Sequence, residues 1–222
     1  HFVEAKTMIA PNDTPKYIFD AIAADDVSRL QGVKDAQAFF KRYNFAPFTD
    51  IAVMPEESPL HLAARLGKLG AIRLLATVYD VNDIFNDMNV SPITLAVRFE
   101  QPAAVELLLE LGAQAKLKDK FNISALSLAE QFYKHHDVLP MIAKSLSVED
   151  RKACYLHAAI NDAPHVMDYF LSLPDWPVDT ADRAQQTALY HAAFYNRCDL
   201  LELLLDRGAN PNAENHHGIT PL

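Results

Sequence analysis

Apolar and polar residues recur in blocks of fixed length over most of the chain. The block Ser58-Pro59-Leu60-His61-Leu62-Ala63-Ala64 has close echoes at residues 91–97, 124–129 and 187–193. The blocks that begin at 58, 91 and 124 are 33 residues apart, and the same spacing separates 187 from Thr220-Pro221-Leu222. A fixed period between about 20 and 50 residues indicates stacked structural repeats. A weaker copy begins at Ala153 and divides the remaining gap.

Each block predicts the first turns of a helix. A Ser or Thr at the start can accept a hydrogen bond from a backbone amide of the first turn, and Pro at the next position has no amide to leave unpaired. The apolar residue that follows belongs in a core, and the paired alanines allow a neighbouring helix to approach closely. A second apolar segment follows most of the blocks and predicts a second helix. These segments lie at 72–75, 105–109, 166–171 and 200–205.

The last twenty residues carry the most specific pattern. Residues 203–222 read LLLDRGANPNAENHHGITPL, with Gly208 and Gly218 where a helix end and a tight turn need positive φ. This stretch resembles the ankyrin-repeat family from the second helix, through the β-turn, to the start of the next repeat. The resemblance covers roughly residues 16 to 222 and is closest over 58–130 and from 187 onward.

The resemblance implies an all-α solenoid of stacked helix pairs with short β-turn fingers. We expect residues 1–57 to form an N-terminal capping repeat with an extra helix near 34–43 and an irregular connector. Because the sequence stops in the first turn of a repeat, it is interpreted as a fragment of a longer protein. The predicted repeats are 58–90, 91–123, 124–152, 153–186 and 187–219, with the start of a further repeat at 220.

Two segments depart from the repeat pattern. Only 29 residues separate Ser124 from Ala153, and no finger sequence lies between them. Residues 147–150 resemble a capping box instead, which predicts a longer first helix in the next repeat and a changed twist of the stack there. Pro140 would lie in the first turn of its helix or kink it. Trp176 takes a position where a small residue is usual, and we expect it to cover an irregular junction rather than contact a ligand.

Composition excludes several classes of protein. Acidic residues outnumber basic residues by 29 to 20, which argues against a nucleic-acid surface because phosphate binding requires a basic footprint. The two cysteines show no disulfide or zinc spacing, and no apolar run approaches the roughly 20 residues that cross a bilayer. We therefore expect a cytoplasmic protein, or one in the host cytoplasm if it is a secreted effector. The sequence does not predict the oligomeric state.

No pattern for catalysis, metal binding or a cofactor is present. His61 matches the histidine that the family places in the first helix, where it is expected to bond the neighbouring turn. His157 and His191 stand one place further on, in the slot usually held by leucine, and we expect packing roles for all three. The pairs at 135–136 and 216–217 lack further ligands at a known spacing, so we expect no metal site. The sequence predicts a protein that is not an enzyme.

The candidate binding residues occupy positions that the family leaves variable and points toward its concave groove. Leu66, Phe99, Phe132 and Tyr195 share one register, which is either exposed for a partner or folded back onto neighbouring repeats. The core register is already taken by leucine and isoleucine, which favours the exposed alternative. The full predicted set is Arg65, Leu66, Met88, Arg98, Phe99, Lys120, Phe121, Ile123, Gln131, Phe132, Arg183, Phe194, Tyr195, His216 and His217.

Charge within this set suggests the chemistry of a partner. Four basic residues, Arg65, Arg98, Lys120 and Arg183, stand against Asp87 and the nearby Glu57, so the groove is expected to be locally positive. A partner protein with an apolar and acidic surface would fit such a groove. The predicted function is a protein-interaction scaffold or recruitment module. The alternative is the substrate-targeting arm of a larger enzyme or bacterial effector whose catalytic domain lies outside this sequence.

Overall fold

Short helices make up most of the regular structure in the described part of the chain. The computed structural model describes residues 15–31, 57–84, 88–131 and 137–222. The extra helix predicted near 34–43 lies outside these residues, as do Asp87, Phe132 and the histidine pair at 135–136. The described part divides into two compact units, residues 1–125 and 126–222.

The first unit contains three described helix pairs in two layers. The two helices of each pair lie against each other, the first helices of successive pairs pack together, and so do the second helices. This arrangement is the helical repeat solenoid that the 33-residue period predicts. The pairs are α1 Pro15–Ala23 with α2 Val27–Gln31, α3 Pro59–Arg65 with α4 Leu69–Leu75, and α5 Pro92–Arg98 with α6 Pro102–Glu110.

The first helices begin where the sequence places their caps. Ser58 and Ser91 have extended backbones, and their hydroxyls accept hydrogen bonds from the backbone amides of His61 and Thr94. A proline follows each of these serines in the first turn, where no amide partner is needed. The N-caps predicted for these two repeats are therefore confirmed.

A side chain from the first pair also ties the second layer together. The Asp25 carboxylate accepts hydrogen bonds from the backbone amides of Gly70 and Ala71, at 3.1 and 2.7 Å, in the first turn of α4. A β-carbon at Gly70 would lie 2.7 Å from the Val27 side chain. Glycine at this position therefore allows α2 and α4 to approach closely.

The core of the first unit lies between the two layers. Leu60, Leu62, Ile93 and Leu95 are fully or almost fully buried, as the sequence predicts. The paired small residues of α3 and α5 are buried with them, so neighbouring first helices lie close together. In the second unit, the leucines of the block that begins at 124 differ, since Leu128 is buried but Leu126 is only partly so.

The second unit contains the departures from the repeat. The first helix of the repeat that starts at 153 is α9, which is 14 residues long where α3, α5 and α11 have seven. The Ser147 hydroxyl accepts a hydrogen bond from the Asp150 amide at the start of this long helix, which confirms the predicted N-cap. Pro140 lies in the first turn of its helix. The helices are α7 Ala125–Gln131, which begins at the unit boundary, α8 Leu139–Ser145, α9 Val148–Asn161, α10 Pro164–Ser172, α11 Ala188–Phe194 and α12 Cys198–Asp206.

Three aromatic side chains close the irregular junction after α10. The Phe170 ring is fully buried, and its centroid lies 4.6 Å from that of Trp176 and 5.9 Å from that of Tyr155. The Tyr155 hydroxyl donates a hydrogen bond to the backbone carbonyl of Val178, at 2.9 Å. Trp176 therefore packs against the helix pair, which is the structural role that the sequence predicts for it.

His61 links the N-cap of α3 to the turn before α5. Its Nε2 donates to the backbone carbonyl of Val90 at 2.8 Å, so Nδ1 is left to accept from the Ser58 hydroxyl at 2.6 Å. The predicted bond to the neighbouring turn is confirmed. Burial lowers the pKa of the His61 imidazole to about 4. The folded chain therefore holds this histidine in its neutral form at any pH well above 4.

The first testable consequence is a loss of stability in mild acid. In the unfolded chain His61 takes up a proton below its ordinary pKa of about 6.5, while the folded chain resists protonation down to about 4. Stability should therefore fall as the pH drops through this window, by about 2 kcal/mol from His61 between pH 7 and pH 5. Urea unfolding followed by circular dichroism at both values measures the loss.

The next repeat supplies the control for this experiment. Thr94 stands where His61 does, and its hydroxyl lies 2.9 Å from that of Ser91. The variant His61→Thr therefore introduces the residue that the next repeat has at this position, and it removes the titrating group. Its stability should change less between pH 7 and pH 5 than that of the wild type. An equal loss in both proteins would contradict the role of His61.

Candidate partner-binding surfaces

In three of the fingers a single side chain fixes the backbone. In the finger 119–123 the Asp119 carboxylate accepts the amides of Phe121 and Ile123, at 2.8 and 2.9 Å, and its own amide donates to the Ile123 carbonyl. The same three bonds recur in the finger 182–186 around Asp182 and in the finger 215–219 around Asn215. The tip side chains are thus presented on a fixed turn.

Neighbouring fingers are also joined within each unit. In the first unit the Lys120 amide donates to the Met88 carbonyl at 3.0 Å. In the second unit the His216 amide donates to the Ala184 carbonyl at 3.1 Å, and His216 Nε2 donates to the Arg183 carbonyl at 2.8 Å. Each unit therefore holds the tips of two successive fingers side by side.

The first unit exposes large apolar side chains on these fingers and beside them. Phe121 is 64% exposed, Met88 46% and Phe99, which follows α5, 40%. Lys120 is exposed next to Phe121, whereas Leu66 and Ile123 are partly buried. Of the four residues that share one register, Phe99 is thus exposed but also lies over Arg65 of the preceding repeat, and Phe132 lies outside the described residues.

Arg65 does not belong to this exposed set. Its side chain is 5% exposed, and its guanidinium makes two hydrogen bonds to the Glu57 carboxylate, at 2.7 and 2.9 Å. Glu57 is itself buried, and the Phe99 ring lies over the guanidinium at 5.5 Å from its centroid. The interpretation of Arg65 as an open groove residue was wrong, because its partner falls in the connector before the first clear repeat, where the repeat pattern gives no information.

This ion pair changes the charge expected on the surface. Arg65 and Glu57 neutralise each other inside the protein, and Arg98, at the equivalent position of the next repeat, lies 3.7 Å from the buried Asp119 carboxylate. The positive charge of this face therefore depends on the exposed Lys120 and on the partly exposed Arg98. The Arg65–Glu57 pair removes one charge of each sign from the sequence count, and the excess of basic residues becomes smaller because of Asp119, which that count did not include.

The second unit carries an open pocket of about 400 Å³. It lies between the exposed side of α9, the finger 182–186 and α11. Arg183, one of the predicted binding residues, is on its rim, while Gln131 is exposed at the end of α7. The residues around the pocket are Glu149, Lys152, Ala153, Leu156, His157, Ile160, Ala181, Asp182, Arg183 and His191.

One of the two histidines of this pocket departs from the expected packing. His157 is exposed on α9, and His191 on α11 is partly buried with its Nε2 3.5 Å from the Asp182 carboxylate. Burial lowers the pKa of the His191 imidazole, and the neighbouring carboxylate partly offsets that effect. The packing role predicted for His157 was wrong. The feature of the sequence that could have indicated the pocket is a polar residue at a position that leucine usually holds.

The remaining predicted residues lie at the exposed end of the second unit. Phe194 is 71% exposed and Tyr195 44%, and the Phe194 ring stacks on that of Tyr190 at a centroid distance of 6.4 Å. His216 and His217 are exposed on the last finger. The position of Phe194 corresponds to that of Arg65, which the Phe99 side chain of the following repeat covers in the first unit.

The described residues include no group of three or more His, Cys, Asp or Glu side chains arranged to hold a metal ion. No helix among these residues is long and apolar enough to cross a membrane.

Comparison with known proteins decides the family. A profile described as "Ankyrin repeats (3 copies)" matches residues 35–119 and 122–215, which is most of the chain. The chain belongs to the ankyrin-repeat family. Ankyrin repeats are generally protein–protein interaction modules, a family of scaffolds rather than of catalysts.

Solved ankyrin structures are similar to the chain as well. The ankyrin repeat domain of Bcl-3, a member of the IkappaB protein family, is 26% identical, with a TM-score of 0.56 over 74% of this chain and 77% of that one. The ankyrin repeat protein EF0377 is 20% identical, with a TM-score of 0.50 over 73% of this chain and 87% of that one. The second likeness shows the fold alone.

Proposed function

We propose that this ankyrin-repeat chain is a recruitment module that binds a partner protein through the finger side of its first unit. The observation that carries the proposal is the exposure of Met88 and Phe121 on two fingers that a backbone hydrogen bond joins. Large apolar side chains held on a fixed turn lose little conformational freedom on binding, which favours affinity. Adjoining exposed apolar groups on a protein surface usually mark an interaction site.

The charge of this face supports an apolar partner segment that also carries acidic residues. Lys120 is exposed beside Phe121, and the Arg98 guanidinium is partly exposed although it faces Asp119. A partner carboxylate near Lys120 would gain attraction without displacing an internal ion pair. Complementary charge of this kind mainly improves specificity and the rate of association.

The test is a selection of peptides from a phage-displayed library of random dodecapeptides on the purified chain. Peptides that combine apolar and acidic residues should be enriched. Phe121→Ala should weaken their binding by about 1 to 4 kcal/mol, because aromatic side chains at an interface are typical anchors. Fluorescence polarisation with a labelled peptide measures the dissociation constant.

The matched control is Leu111→Ala. Leu111 is 37% exposed and follows α6, in the layer of second helices, so it tests loss of an exposed apolar side chain away from the fingers. The control should bind like the wild type, and both variants should keep the thermal stability of the wild type. A Phe121→Ala chain that binds every selected peptide normally would refute this surface as the binding site.

A further inference from the structure

The pocket of the second unit exists because histidine replaces leucine at one position of the repeat. In the first unit this position is held by Leu62 and Leu95, both buried. In the second unit Leu128 holds it in α7, but His157 and His191 hold it in the next two first helices, and both line the pocket. An imidazole is more polar than a leucine side chain and less costly to leave in contact with water, so the surface stays open where the first unit closes it.

The pocket offers an apolar floor with a polar rim. Ala153, Leu156, Ile160 and Ala181 supply apolar surface around its volume of about 400 Å³. Pockets that bind ligands combine a mostly apolar lining with a few polar groups that fix orientation. This volume is large enough for one or two side chains of a bound peptide.

The acidic groups of the pocket already have partners. Asp182 accepts two backbone amides and lies 3.5 Å from His191 Nε2, and Glu149 lies 3.1 Å from the Lys152 ammonium at the exposed rim. Arg183 differs, because no described carboxylate lies within 4.0 Å of its guanidinium. The pocket therefore presents one cation that is not matched by an internal anion.

The joined fingers place a second basic side chain beside this cation. His216 stands one finger further on at the position equivalent to Arg183, and two hydrogen bonds hold these fingers together. Both side chains are exposed. A carboxylate bound between them would form an ion pair with Arg183 and lie beside the polar side chain of His216. Arginine suits this role because its planar guanidinium can bind a carboxylate with two parallel hydrogen bonds.

We propose that this pocket and its two fingers bind a peptide segment in which an acidic residue follows or precedes an apolar one. The acidic side chain pairs with Arg183, and the apolar side chain enters the pocket above Ala153 and Ile160. This site is separate from the finger side of the first unit. It rests on the proposed function only in requiring that the chain binds protein segments.

The test compares peptide selections on three proteins, using the same library of random dodecapeptides. The wild type should yield a family of acidic and apolar peptides that also binds Phe121→Ala normally, and Arg183→Glu should lose that family or replace it with basic peptides. Lys144→Glu is the matched control, because it makes the same change of charge on an exposed side chain of α8 outside the pocket. It should yield the wild-type family.

A second variant tests the pocket separately from its charge. Ala153 is exposed on α9 and lines the pocket, so Ala153→Phe should fill the space without disturbing the core. We expect Arg183→Glu and Ala153→Phe each to raise the dissociation constant of a selected peptide about tenfold or more, and Lys144→Glu to change it less than about twofold. Circular dichroism of all variants checks that they fold.

The outcomes separate the two proposals. Normal binding of the acidic family by Arg183→Glu would overturn the site, and normal binding by Ala153→Phe would show that peptides do not enter the pocket, which also overturns it. If peptides are enriched but depend only on Phe121, the site in the second unit fails while the proposed function stands. If no peptide is enriched on any of the three proteins, the proposed function itself fails.

Discussion

We expect Arg65→Met to lower the free energy of unfolding of the first unit by about 3 to 5 kcal/mol, because it leaves the buried Glu57 carboxylate without its cation. Both side chains are almost inaccessible to water, so solvent does not replace the lost bonds. The loss is measured by urea unfolding followed by circular dichroism. Tryptophan fluorescence does not report on this unit, since the only tryptophan, Trp176, belongs to the other one.

Two further variants make this result specific. The double variant Glu57→Leu with Arg65→Met should regain much of the loss, because an apolar pair in a buried site is often as stable as the ion pair it replaces. Arg98→Met changes the equivalent residue of the next repeat, which is partly exposed and 3.7 Å from the buried Asp119 carboxylate. Because two backbone amides still donate to that carboxylate in the variant, the loss should be smaller than in Arg65→Met. Equal losses in Arg65→Met and Arg98→Met would contradict the special role of the buried pair.

Phe170→Ala is expected to destabilise the second unit by about 3 to 5 kcal/mol. The Phe170 ring is fully buried and in contact with both Tyr155 and Trp176, so its removal opens a cavity in the middle of the cluster. Urea unfolding measures the loss, and Trp176 fluorescence in the native state should change because one of its neighbours is gone.

The control is a phenylalanine of the same unit that lies at the surface. Phe194 is 71% exposed, so Phe194→Ala should change the free energy of unfolding by less than about 0.5 kcal/mol. A small effect of Phe170→Ala would mean that the cluster is not part of the core. A large effect of Phe194→Ala would mean that this ring packs within the second unit more firmly than its exposure indicates.

Local chemistry explains why so much of the fold could be predicted. Each first helix starts with a residue whose side chain can cap it, and the caps at Ser58, Ser91, Ser147 and Thr187 all accept the expected backbone amide. These bonds join residues three apart, so the sequence contains both partners. The positive φ of Gly208 and Gly218 follows from the same local rules.

Two features that the sequence did not predict have different causes, one outside the repeat pattern and one inside it. Arg65 was expected at an open surface, yet its partner Glu57 precedes the first repeat start and has no counterpart in later units. His157 was expected to pack, but α9 turns it toward solvent. The exposure of His157 could have been predicted from the sequence. Histidine stands in the leucine position of two repeats, and burying a polar imidazole costs free energy.

The uniform bonding of the fingers has a consequence for how binding specificity can change. In the fingers 119–123, 182–186 and 215–219 the backbone is held by two amides that donate to one oxygen of Asp119, Asp182 or Asn215, and the fourth residue of each has positive φ. The residues at the tip of one finger can therefore be replaced by those of another. Moving residues 120–122 into positions 183–185 would transfer an aromatic side chain to the second unit while the turn that presents it stays the same.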